Sequence, residues 1–167
     1  FYLSVNISPR DFYYMDIYKV FTQLVQKHGF EAKNLHLEIT ETAVMSDTKK
    51  VIRLVNKLRQ YGFKVEMDDF GSGYSSLNML KDIKMDTIKL DMGFLRKTRN
   101  NERSMSIVSN VIHLSKRLGM EVVTEGVETR EQVDALTMMG CDVFQGYYFA
   151  KPMSVWDYED KYISTEG

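Results

Sequence analysis

Four glycines, at positions 29, 62, 119 and 140, each close a segment patterned as an amphipathic helix, and each is followed shortly by a brief apolar-alternating run. This rhythm of helix, glycine stop and strand restricts the fold more than any other feature of the chain. The helical segments run from about Asp16 to His28, striped by Ile17, Val20, Phe21, Leu24 and Val25; from Thr48 to Tyr61, striped by Val51, Ile52, Val55 and Leu58; from about Glu102 to Leu118; and onward from Thr129. Thr129 with Gln132 forms a capping box ahead of Val133 and Leu136. The strand-like runs are Phe1 to Ser8, Leu35 to Thr40, the stretch holding Phe63, Val65 and Met67, Thr87 to Asp91, Glu121 to Thr124, and a last one from about Asp142. Ser154 opens a short terminal helix containing Trp156, and the aromatic run Phe12-Tyr13-Tyr14 reads as packing. Six strand-helix units with helical crossovers force parallel strands, in either a doubly wound sheet or most of a barrel.

The polar residues choose between these. Asn6, Glu38, Asp68, Asp69, Lys89, Glu125 and Gln145 fall at or near the C-terminal ends of successive strands, the two aspartates sharing one. A doubly wound sheet gathers its site at one switch point, whereas a barrel aims all strand ends at a common centre. The expected fold is therefore α/β, a TIM-type (β/α)8 barrel of which residues 1–167 supply about six units. A whole barrel takes about 250 residues, so the reading is of one barrel domain, N-terminally incomplete.

The central stretch is Val65 to Leu77, where Asp68 and Asp69 end a strand just before Gly71 and Gly73. Adjacent carboxylates there repel, and one is driven to protonate unless a cation intervenes; a solvated turn and a hard divalent ion both fit the pair. Cys141 is the single cysteine, and His28, His36 and His113 lack zinc-site spacing, so any metal is oxygen-ligated. A formal net charge of -1, with the charges interspersed, speaks against a nucleic acid polymer or a polybasic membrane patch. No long apolar run and no signal-peptide pattern stand out, which makes the cytoplasm the default, with membrane attachment of a parent protein through other regions left open.

The segments Val5-Asn6-Ile7-Ser8, Leu37-Glu38-Ile39-Thr40-Glu41, Asp68 to Leu77, Ile88-Lys89-Leu90-Asp91, Glu125 to Thr129 and Gln145-Gly146-Tyr147 together resemble the EAL domains, which hydrolyse the bacterial messenger cyclic di-GMP. The resemblance covers nearly the whole chain and implies an eight-stranded barrel in which these motifs end strands 3 to 8. The Glu-Ala-Leu motif that names the family occurs nowhere in this sequence.

By that resemblance, Asn6, Glu38 and Asp68 hold one Mg²⁺ or Mn²⁺, and Asp68 is shared with a second ion held by Asp69 and Glu125. Two such ions would activate water and neutralise the phosphodiester oxygens. Lys89, Glu125 and Asp69 take the catalytic roles, Lys89 orienting the water or countering phosphate charge and Glu125 serving as ligand or general base. Glu128 and Gln145 are implied to fix ligand geometry, and Glu41 to anchor the loop from Phe70 to Leu77. The implied partners are cyclic di-GMP, a second copy in a homodimer, and a sensor or GGDEF-type domain in the parent protein. Two other readings compete with a phosphodiesterase yielding linear pGpG: a non-catalytic cyclic di-GMP-binding sensor or interaction module, and a barrel lyase using Lys89 as a Schiff-base nucleophile.

Overall fold

The computed structural model describes residues 1–71, 77–91 and 101–163. In chain order the elements are β1 (Leu3–Ile7), α1 (Asp11–Tyr14), α2 (Ile17–His28), β2 (Leu35–Thr40), α3 (Glu41–Ser46), α4 (Thr48–Tyr61), β3 (Lys64–Phe70), α5 (Leu77–Asp82), β4 (Thr87–Asp91), α6 (Asn101–Arg117), β5 (Glu121–Glu125), α7 (Arg130–Met138), β6 (Val143–Phe144) and α8 (Val155–Tyr158). Among the described residues no helix is long and apolar enough to cross a membrane.

The helices start and stop where local chemistry dictates. Asp16 and Asp47 accept the backbone N–H groups of Lys19 and Lys50, which satisfies otherwise orphaned donors at the heads of α2 and α4. Gly29 and Gly62 end the same helices in the left-handed region, at φ 68° and 117°, where a Cβ would be strained. The Thr129–Gln132 capping box forms at the head of α7.

All six strands are parallel and hydrogen-bond in strict chain order, β1-β2-β3-β4-β5-β6. A doubly wound sheet reverses its order at a switch point, and no reversal occurs here. The arrangement is a partial α/β TIM barrel. Phe1 and Leu3 at one end of the sheet, and Gln145, Gly146 and Tyr147 beyond its other end, line one shared cavity of about 860 Å³. The sheet is thus curled, with its first and last strands facing a common space.

The two faces of the sheet differ in chemistry. Leu37, Ile39, Val65, Met67, Ile88, Leu90 and Val122 join one core with the helical residues Val51, Val55, Leu58, Ile112 and Leu136. On the opposite parity stand His36, Glu38, Glu66, Asp68, Thr87 and Lys89, several of them equally buried. Helices cover the first face, so the second, polar face is the concave interior that a barrel encloses.

Two local expectations change. Of Phe12-Tyr13-Tyr14 only Phe12 is buried, at 7% exposed, while Tyr13 and Tyr14 are 67% and 85% exposed, because the single turn of α1 aims just one side chain inward. β3 also does not stop at its aspartates but runs on to Phe70.

Candidate metal centre

The ends of β2, β3, β4 and β5 bring three carboxylates onto one ammonium. Lys89 Nζ lies 2.8 Å from Glu38 Oε2, 2.9 Å from Glu125 Oε1 and 3.4 Å from Asp68 Oδ1. Burial by itself would lower the pKa of Lys89, but its hydrogen bonds to Glu38 and Glu125 and the charges of Glu125 and Asp68 more than offset this and hold it above the ordinary lysine value. Lys89 is therefore a fixed cation. A Schiff-base nucleophile needs the opposite shift, which removes the physical basis of the lyase reading.

Strict strand alternation would send consecutive aspartates to opposite faces. A bulge prevents this. β3 pairs Met67 with Ile88 and then Phe70 with Leu90, spending one more residue than β4 over the same interval. Asp69 absorbs the irregularity at φ 55°, the single positive-φ residue other than glycine among those described. Such a conformation costs of order 1–3 kcal/mol and persists where the surroundings enforce it. Its result is that Asp68, Asp69 and Glu125 offer oxygens all within 4.8 Å of one another, while Phe70 returns to the core at 4% exposed.

Electrostatics make this set a demanding one. Burial, followed by the charges of Asp68 and Asp91, pushes the Asp69 carboxyl above its ordinary value. Burial likewise raises Glu125, and the bond from Lys89 only partly opposes it. Asp68 Oδ1 is buried with no hydrogen bond. Among the described residues, Glu38, Asp68 and Glu125 share the one ammonium of Lys89 and Asp69 stands beside Asp68 and Glu125, so the donor set is all oxygen and carries excess negative charge. That is the environment a hard divalent cation requires, and the residues present fit one.

The remaining candidates sit around this centre. Asn6 is on β1, directly opposite Glu38 in the register and exposed. Glu41 opens α3, is 2% exposed, and accepts the Gly71 backbone N–H on Oε2 at 3.3 Å. It thereby ties the end of β3 to the turn after β2; the loop beyond, residues 72–76 and with them Gly73, lies outside the described residues. Glu128 is exposed at the entry to α7, where its backbone N–H donates to Gln132 Oε1 at 2.7 Å. Gln145 is exposed at the mouth of the cavity between β1 and β6, and its backbone N–H donates to the Thr124 carbonyl at 2.8 Å. Gly146 follows because the turn after β5 crosses it so closely that a Cβ would meet Val127 O at 2.1 Å.

Zinc-site spacing does not single out one further pair, His36 with Glu66. His36 Nδ1 donates to Glu66 Oε1 inside the curl of the sheet, with both residues buried. The available signal was parity: each stands two residues before a predicted ligand, on the same face of its strand.

The EAL domain model matches residues 1–152. The chain is 36% identical over 151 residues to the cyclic di-GMP phosphodiesterase RocR of Pseudomonas aeruginosa, covering 90% of this chain and 38% of that protein. It is 34% identical over 160 residues to the cyclic di-GMP phosphodiesterase PdeR of Escherichia coli, covering 96% of this chain and 24% of that protein. It thus spans well under half the length of these relatives. Solved EAL structures superpose on it with TM-scores of 0.83–0.88. One is the manganese and cyclic di-GMP complex of BlrP1 from Klebsiella pneumoniae, at 0.83, 32% identical and covering 90% of this chain and 39% of that one.

Proposed function

Because the chain belongs to the EAL domain family, we propose that it forms most of the active site of a metal-dependent phosphodiesterase that opens cyclic di-GMP to linear pGpG. The observation that carries this reading is the convergence of Asp68, Asp69 and Glu125 beside the Lys89 cluster. Asn6, Glu38 and Asp68 would hold one Mg²⁺ or Mn²⁺, and Asp68, Asp69 and Glu125 a second. Bound there, such ions supply Lewis-acid polarisation of the phosphodiester and neutralise its charge.

The chain's own residues do the positioning. Lys89 holds Glu38, Asp68 and Glu125 at the ends of three different strands in one arrangement, and its buried ammonium would orient the water or counter phosphate charge. Glu125, its carboxyl raised above the ordinary value by burial and so made more basic, would accept a proton from the attacking water. Without added cations the carboxylates would repel a dianionic dinucleotide, so substrate binding and metal binding are linked. Glu41 fixes the chain where it leaves β3, through the Gly71 backbone N–H two residues after Asp69.

The test is the full-length protein with Mn²⁺ and cyclic di-GMP, read as pGpG formed. Turnover that stops on chelation and returns with Mn²⁺ is expected. Cyclic di-GMP binding with no pGpG would favour the non-catalytic receptor instead.

A further inference from the structure

The buried His36–Glu66 pair belongs to a small network that spans three strands. Tyr2, just before β1, stacks on the His36 ring with centroids 4.0 Å apart and planes 9° from parallel. Ser4 on β1 donates to Glu66 Oε2 at 3.4 Å, and His36 on β2 donates to Glu66 Oε1 on β3. Glu66 is 3% exposed and His36 8%.

Its placement relative to the candidate ligands is systematic. Ser4, His36 and Glu66 each precede by two residues one member of the set Asn6, Glu38 and Asp68, and so share its face of the same strand. Glu66 also sits directly opposite Glu38 in the β2–β3 register. Like charges opposite one another on one face of a sheet repel. The two carboxylates instead turn to different partners, Glu38 to the ammonium of Lys89 and Glu66 to the imidazole of His36.

We propose that His36 and Glu66 are positioning residues for the ion site of Asn6, Glu38 and Asp68: they lock β1, β2 and β3 together one layer below it and hold Glu66 away from Glu38. This rests on the phosphodiesterase reading of that site. Partners that orient metal ligands are commonly worth ten- to hundredfold in metal affinity.

The test is Mn²⁺ affinity of the full-length protein, read from the free-ion electron paramagnetic resonance signal, alongside unfolding of the metal-free protein. His36→Phe keeps the ring stack but loses the bond to Glu66, and should weaken Mn²⁺ binding by roughly tenfold or more. His36→Gln, which retains a donor, should recover most of the affinity. Unchanged or tighter binding by folded His36→Phe overturns the proposal. A purely structural role would lower the unfolding temperature alone, and that too overturns it. Should His36→Phe not fold, the double variant His36→Phe/Glu66→Leu, which buries no unpaired charge, takes its place, and parental affinity there overturns the proposal. Failure of the parent itself to bind Mn²⁺ would overturn the reading of the site, and this inference with it.

Discussion

Lys89 substitutes for part of the positive charge that its carboxylate neighbours need. Replacing it with Met leaves Glu38, Asp68 and Glu125 without a common cation, and breaking such a buried arrangement typically costs about 3–5 kcal/mol. Denaturant unfolding of metal-free Lys89→Met should show that loss, and a stability equal to the parent's would contradict the central role given to this ammonium. The acids of the cluster make the stability depend on pH. Asp69 and Glu125 have folded pKa values raised above their unfolded ones, so the stability they confer is present at low pH and is lost as pH rises from the ordinary carboxylate range through the raised values. A bound divalent ion reverses this by favouring the ionised forms. The rise in unfolding temperature on adding Mn²⁺ should therefore grow with pH over that interval; an increment independent of pH would speak against these carboxylates as ligands.

Single contacts between elements set the frame of the site. Asp86, just before β4, receives two bonds from Arg59 on α4, at 2.9 and 3.1 Å, and one from the Val65 backbone N–H on β3 at 3.0 Å. Burial would raise its pKa, but these bonds and the Arg59 and Lys64 charges hold it below the ordinary value. A lowered folded pKa means stability that is present above the unfolded pKa and lost as pH falls through the folded one. Arg59→Leu should cost about 1–3 kcal/mol at neutral pH and flatten the acid limb of the stability profile. Gly146→Ala drives a methyl against the Val127 backbone and should cost roughly 1–3 kcal/mol, read from the same unfolding curves. Much of this level was legible in the sequence. The 3.6-residue stripes, the Thr129 cap and the glycine stops marked the helices, and their strand-end positions aimed Glu38 and Lys89 at a common centre. The bulge at Asp69 was not legible, because it follows from pairing with β4 rather than from any residue near it. Nor was the His36–Glu66 bond, which depends on the stagger of β2 against β3 and on Tyr2 lying over the ring.

At the scale of the molecule, the order of the strands and the polarity of their ends made the barrel readable, whereas the closeness of its two edge strands to one cavity is a property of the curl alone. β1 and β6 each pair with one neighbour among the described strands, and Leu3 and Val5 on β1 are 65% and 37% exposed. Unpaired edges beside apolar surface seek partners. The 167-residue chain expressed alone should associate with rising concentration, and light scattering that reports a monomer throughout would contradict this. The claim on which the rest depends is that the strand-end carboxylates form a cation-dependent phosphodiesterase site. It is tested most directly by pGpG production in the full-length protein carrying Asp68→Asn, which keeps the shape of the side chain and removes the charge shared between the two ion positions. Turnover of cyclic di-GMP with Mn²⁺ should fall by roughly a hundredfold or more, since metal stabilisation of the transition state is worth several kcal/mol, while the fold stays intact by circular dichroism. Parent-level turnover in that variant would contradict the account.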